Sequence, residues 1–214
     1  MTLWLSLFHP ISAHFRRKRF ANILRKAPNL LSQSVLDVGG SVHFWDKLGI
    51  DPKSFDLTIL NIALDGQSTD IRGTIRDDII VLYDGLTIPW PDQSFDWVIC
   101  NSVIEHVPSL KRTHFSSEIK RVGKHYWIQT PAYVFPVEPH FVLPILHWLP
   151  RHFGRRIAGW GLWGLLRRRT RSEIDRYFDE VVLLTLKEFH SLFPRAEVIT
   201  ERFLGIPKSY TLMG

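Results

Sequence analysis

The stretch Ser34-Val35-Leu36-Asp37-Val38-Gly39-Gly40 constrains the fold more than any other. An apolar run of strand length ends in an acid and a glycine pair. That is the pattern of a buried parallel strand emptying into a tight turn. Glycine there lets backbone approach a ligand where a side chain would collide. An acid at the strand tip can accept hydrogen bonds from a ribose or an amine, so the segment reads as the nucleoside-binding corner of an α/β protein.

The rest of the chain repeats this rhythm. An amphipathic helix is predicted over Ala13–Lys26, with Phe15, Ile23 and Leu24 inward and its arginines outward. Strands are predicted at Ser34–Val38, Asp56–Asn61, Ile79–Tyr83, Trp97–Asn101 and His125–Thr130, with helices through Phe44–Leu48 and Phe115–Val122. Pro131 stops the fifth strand. A Thr-x-x-Glu capping box at Thr185–Glu188 opens a helix to Phe193, and strands at Ala196–Phe203 and Lys208–Met213 close the chain as a hairpin. Alternating strand and helix predict a mostly parallel sheet with helices on both faces, in one domain of 214 residues.

Charge is uneven. Residues 1–36 hold six bases and no acid, and residues 151–176 hold eight arginines against Glu173 and Asp175. Removing both segments leaves 13 bases and 19 acids, so an acidic body carries two basic appendages. That pattern suits an anionic surface met at the periphery better than a uniformly basic nucleic-acid binder. The single Cys100 excludes an intramolecular disulfide and points to a reduced, cytoplasmic setting. Met1–Pro10 is apolar, but its positive cluster follows rather than precedes it, so it does not read as a secretory signal.

In open α/β sheets ligands sit at the carboxyl ends of the strands. Asp37-Val38-Gly39-Gly40, Asn61, Asp84-Gly85 and Asn101-Ser102 all fall at such ends. Each alone is ordinary turn chemistry. Their ordered recurrence is what points to a binding rim, with Asn61 about where a ribose-binding group belongs and Asp84 able to accept from an adenine amino group.

The segment from Asp84-Gly85-Leu86-Thr87-Ile88-Pro89 through Ser94-Phe95-Asp96 to Asn101-Ser102-Val103-Ile104-Glu105-His106-Val107 resembles the class I S-adenosylmethionine-dependent methyltransferases. Leu183–Pro194 is similar to their late helix. The resemblance implies a Rossmann-like sheet of seven strands, the last antiparallel, and S-adenosylmethionine as cofactor. By position it puts Asp37, Gly39 and Gly40 on the methionine and ribose side. Asn61 would hold the ribose, Asp84 and Gly85 the adenine, and Asn101 and Ser102 the floor. Two positions depart from the family pattern. Ser41 and His43 stand where further glycines are usual, and Asn61 where the second strand usually ends in an acid.

For catalysis the resemblance implies groups after the fourth and fifth strands, where His106 and His140 lie. An imidazole is a suitable base at neutral pH. The bland alternatives are a turn for His106 and loop ordering for His140. Glu105, His106, Glu138 and His140 together could instead bind a divalent cation, although the base reading needs no metal.

Residues 132–172 break the alternation. Their Trp, Pro, Gly and Arg content reads as an insertion, either a lid over a substrate pocket or a lid that also touches an anionic membrane surface. No nucleic-acid motif accompanies it. The function expected is methyl transfer to a small or lipid-linked acceptor, oxygen before nitrogen. The alternative is a non-catalytic methyltransferase-like module that binds membrane or a partner protein.

Overall fold

The computed structural model describes residues 3–63, 77–161 and 169–214, with backbone alone for 3–13 and 77. In chain order the helices are α1 (Leu3–Lys26), α2 (Val42–Leu48), α3 (Arg112–Val122), α4 (Arg151–Ile157), α5 (Arg171–Glu180) and α6 (Leu186–Leu192). The strands are β1 (Val35–Val38), β2 (Leu57–Asn61), β3 (Ile80–Leu82), β4 (Phe95–Asn101), β5 (Gly123–Pro131), β6 (Val137–Glu138), β7 (Leu143–Pro144), β8 (Glu197–Phe203) and β9 (Ile206–Met213).

Seven strands form one sheet in the order β3-β2-β1-β4-β5-β9-β8. β1 pairs in parallel with β2 and β4, and β2 with β3. Tyr126 and Gly214 exchange both backbone hydrogen bonds, at 2.8 and 3.1 Å. That reciprocal pattern belongs to an antiparallel pair. The predicted Rossmann-like α/β sheet is therefore present, and β6 and β7 make a separate antiparallel ribbon.

The chain divides into two compact units. The first takes in residues 1–101, 113–128 and 213–214. Its core packs Phe20, Ile23 and Leu30 with Val35, Ile59, Trp97 and Ile99, around the fully buried Trp45. Alternation explains the choice: Val35 is in register with Leu57 and Trp97, so all three face one side of the sheet. α2 starts where Ser41 accepts a hydrogen bond from Phe44 N at 3.2 Å and stops at Gly49, whose φ of 78° is left-handed. Ser41, a departure from the family's glycines, is thus a helix cap.

The second unit takes in residues 102–112 and 129–212, with a core of Phe141, Leu146, Ala158, Ile174 and Phe178. It corrects two expectations. Regular structure resumes well before Thr185, because α4 lies inside the predicted insertion and α5 begins at its end. Thr170 and Glu173 form a full capping box at the start of α5, the same local signal read at Thr185. The arginines there are also less available than their number suggests. Arg151 pairs with Asp179, Arg155 with Asp175 and Asp179, Arg169 with Glu173 and Arg171 with Asp175. The Leu162–Arg168 part of the insertion, with Trp163, lies outside the described residues.

α1 brings a further correction. Phe15 and Ile23 are buried as expected, and Arg17 and Lys18 face outward. Arg16 and Arg19 do not: both are half-buried, and Arg19 Nη1 donates to Asn101 Oδ1 at 2.7 Å. Among the described residues no helix is long and apolar enough to cross a membrane.

Candidate active site

In the first unit the parallel register aligns the strand tips. Val38 stands opposite Leu60 and Asn61 opposite Leu82. Gly39 N–H donates to Leu60 O at 2.7 Å, and Tyr83 N–H to Asn61 O at 3.0 Å. Gly39, Asn61, Asp84 and Asn101 therefore lie along one rim, as the sequence predicted.

Asp37 is 1 % exposed, and its carboxylate accepts from the Trp45 indole N–H at 2.9 Å. Burial pushes its pKa up to about 7, although the indole hydrogen bond opposes the rise. The same carboxylate fills the space beside Gly40, where any Cβ would collide with it. Gly39 takes a left-handed φ of 71°. The acid thus shapes the Gly39-Gly40 turn from beneath, and glycine is required at both positions.

Asn61 is nearly buried and donates through Nδ2 to Gly40 O at 2.7 Å. One amide end locks the turn, which leaves the amide oxygen as the end suited to a ribose hydroxyl. Asp84 is exposed, and its Oδ1 accepts from the backbone N–H groups of Leu86 and Thr87 at 2.8 and 3.1 Å. It opens its own turn, and Gly85 follows with φ 76°. That loop is held by α3. Glu118 accepts from Ile88 N–H at 2.8 Å, and Arg121 donates to Trp90 O at 2.6 Å and Ile88 O at 2.9 Å.

Two features of this rim were missed in the sequence. Ile62, directly after Asn61, is 70 % exposed and sits against Gly85, where a Cβ would come within 3.3 Å of Ile62 Cγ2. An open apolar side chain beside a glycine is a platform for a flat base. The second is a group of cations. Burial, and then the nearby Arg19, lowers the pKa of Arg16. Burial and the Arg16 charge lower that of Lys47, and Arg16 also adds to the lowering of His43. Positive charge is thus gathered at the helix that follows the Gly39-Gly40 turn. A ribose acceptor, an apolar platform and a cationic patch suit the ribose, adenine and carboxylate of S-adenosylmethionine.

The second unit brings together the other predicted residues. Ser102 holds a left-handed φ of 57°, uncommon for serine. Its hydroxyl donates to Gln129 Oε1 at 2.9 Å, and its N–H to Gln129 O at 2.9 Å. Glu105 is fully buried. Its Oε2 accepts from Thr130 Oγ1 at 3.0 Å, while Oε1 has no hydrogen-bond partner. His140 sets Nδ1 2.7 Å from Glu138 Oε1 and Nε2 3.7 Å from Glu105 Oε1. The His106 ring meets His140 edge-on, with centroids 5.0 Å apart.

The electrostatics separate the two histidines. Burial, reinforced by His140, lowers the His106 pKa to about 4, so that ring is neutral at physiological pH. Burial also pulls His140 down, but Glu138 and Glu105 outweigh it and the net shift is upward. Glu105 is raised, chiefly by burial. The backbone behind this group is pinned by Arg112, itself 2 % exposed. Its Nε donates to Val107 O at 3.0 Å, Nη2 to Val182 O at 2.6 Å and Nη1 to Glu188 at 2.7 Å.

Beside the histidines, in the same unit, lies a cleft that is partly open to solvent. Tyr133, Phe141, Leu146, His147 and Phe178 line it, together with Glu138, the carboxylate that holds His140.

Residues 65–125 match the family model described as "Methyltransferase domain". No curated protein matches the sequence. Among solved structures, the chain resembles a SAM-dependent methyltransferase from Archaeoglobus fulgidus at 12 % identity and a TM-score of 0.50, covering 92 % of this chain and 93 % of that one. It resembles magnesium protoporphyrin IX methyltransferase from Synechocystis, solved with bound SAH, at 14 % identity and a TM-score of 0.50, covering 94 % and 83 %. It also resembles a protein described as a putative Zn-dependent alcohol dehydrogenase from Rhodobacter sphaeroides, at 11 % identity and a TM-score of 0.55, covering 86 % and 85 %. At such identities the likeness shows the fold alone. The chain thus shares its fold with S-adenosylmethionine-dependent methyltransferases and matches the methyltransferase domain over residues 65–125.

Proposed function

We propose that the protein transfers the methyl group to an oxygen of a small acceptor with an apolar, flat body. The observation that carries this is the shared carboxylate Glu138, which lines the aromatic cleft and also holds His140 Nδ1. An acceptor lying between Phe141 and Tyr133 would present its hydroxyl toward the histidines. With Nδ1–H donated to Glu138, the His140 lone pair is on Nε2, the nitrogen able to take a hydroxyl proton. The oxygen then bonds to the methyl carbon as the carbon–sulfur bond breaks, and the sulfonium leaves as a neutral thioether.

On the cofactor side, the reading assigns Asn61 to the ribose and Ile62 and Gly85 to the adenine. The cations Arg16 and Lys47 take the methionine carboxylate. Asp37, Gly39 and Gly40 supply the shape of the turn rather than direct contacts. Asn101 is assigned to the floor through its bond to Arg19, and Ser102 to the strained start of the loop that carries His106. In this reading the insertion serves as an acceptor pocket. The pairing of its arginines with α5 acids favours that role over an anionic membrane surface.

Isothermal titration with S-adenosylmethionine, followed by release of S-adenosylhomocysteine over a panel of phenols and small alcohols, tests the proposal. Cofactor binding with turnover on one class of hydroxyl supports it. Turnover confined to amines overturns the oxygen assignment, and no heat at millimolar cofactor supports the non-catalytic module instead.

A further inference from the structure

We propose that Glu105, His106 and His140 form a binding site for one divalent first-row metal ion, zinc in preference to magnesium. Each residue offers one ligand atom, and the three atoms lie within 4.8 Å of one another. Metal–ligand bonds of about 2.0–2.2 Å bring ligand atoms to roughly 3–4 Å from each other. The 3.7 Å between His140 Nε2 and Glu105 Oε1 already falls in that range. It is too long for a hydrogen bond, so the two groups face each other across a gap that fits an ion better than a shared proton. A pair as far apart as 4.8 Å has about an ångström left to close, within reach of a rotation of the His106 ring.

Two independent features point to a ligand here. Glu105 is a fully buried carboxylate whose Oε1 has no hydrogen-bond partner, an arrangement that carries a desolvation cost unless something occupies it. Thr130 holds Oε2, so the orphaned oxygen is aimed rather than free to turn away. The second feature is the Glu138–His140 pair. A carboxylate on the far nitrogen of an imidazole fixes the tautomer that leaves the near nitrogen as a lone pair, as metal-bound histidines generally require. Two imidazoles and one carboxylate favour zinc and its neighbours over magnesium, which prefers oxygen ligands. Three protein ligands also leave a coordination position open.

The ion would stand in the gap between His140 Nε2 and Glu105 Oε1. It would then lower the pKa of an acceptor hydroxyl by direct coordination, in place of general-base removal by His140. Only this consequence rests on the methyl-transfer reading; the site itself does not.

The test uses the full chain, stripped of metal and dialysed against Zn2+, Co2+ and Mg2+ separately, without S-adenosylmethionine or acceptor. Bound metal is counted by mass spectrometry. Co2+ supplies a visible spectrum that reports nitrogen and oxygen ligation. The expected result is one Zn2+ per chain, weak or absent Mg2+, and at least a tenfold loss of Zn2+ affinity in both Glu105→Gln and His140→Ala. His152→Ala, an exposed histidine outside the cluster, keeps full affinity. Glu105→Gln retains the shape of the buried side chain, so it decides the matter should His140→Ala fail to fold. Absence of stoichiometric Zn2+, or unchanged binding in Glu105→Gln, overturns the proposal. Cofactor titration is read separately, so a failed metal site leaves the methyltransferase reading standing.

Discussion

Glu138 Oε1 lies 2.7 Å from His140 Nδ1, and this one contact decides which imidazole nitrogen faces Glu105. Residues two apart in sequence are joined here because Glu138 ends the short strand β6 and also accepts the Phe141 N–H at 2.7 Å, closing the chain around His140. Replacing Glu138 by Gln removes the charge but keeps the volume. Zn2+ affinity is expected to fall about 10- to 100-fold, the usual cost of losing the carboxylate behind a metal-bound histidine. Competition against a chromophoric chelator measures it, and an unchanged affinity would show that the pair does not orient a ligand.

Asn61 locks the Gly39-Gly40 turn through Gly40 O and is assigned to the ribose. Asn61→Ala loses both contacts. S-adenosylmethionine affinity should fall about tenfold, from roughly 1–1.5 kcal/mol of hydrogen bonding. Calorimetric titration checks this, and equal affinities in the two proteins would remove Asn61 from the cofactor site.

The buried Asp37 makes stability depend on pH. In the unfolded chain the carboxyl ionises near its ordinary 3.8, whereas in the folded chain its pKa is raised to about 7. Between those values the folded state holds the extra proton. Its contribution to stability is therefore greatest below about pH 4, falls as pH rises through about 7, and then levels off. Each pKa unit is worth about 1.4 kcal/mol, so the fall is on the order of a few kcal/mol. Asp37→Asn keeps an acceptor for Trp45 and should flatten this slope. Urea unfolding of both cofactor-free proteins at pH 5 and pH 8 gives the comparison, and parallel slopes would mean that Asp37 is not the source.

Arg112 is 2 % exposed and ties Val107, Val182 and Glu188 together behind Glu105. Arg112→Met leaves two carbonyls and a carboxylate without their donor. A loss of about 2 kcal/mol is expected, because two carbonyls lose their donor while the Glu188 carboxylate, 43 % exposed, can turn to water. Thermal unfolding reads it directly, and a variant with wild-type Tm would show that the segment is held by its other contacts.

The sequence by itself determined the strands and the rim. Apolar alternation fixes which residues of β1, β2 and β4 face the core, and Gly39, Asn61, Asp84 and Asn101 mark where β1, β2, β3 and β4 end, because turn chemistry is local. The box at Thr170 and Glu173 is an equally local signal. What neighbours in space do was not written locally. Asp37 could be assigned to a ligand from its place at a strand tip, but only the folded chain shows Trp45 taking its carboxylate. The charge of the α1 arginines suits an outer face, yet Arg19 turns inward to Asn101, 82 residues away. Glu105 and His140 likewise come from segments 35 residues apart, and the unsatisfied oxygen between them arises only once burial has removed water. Periodicity and turns act over a few residues and can be read along the chain, whereas desolvation and the pairing of distant charges exist only in the packed state.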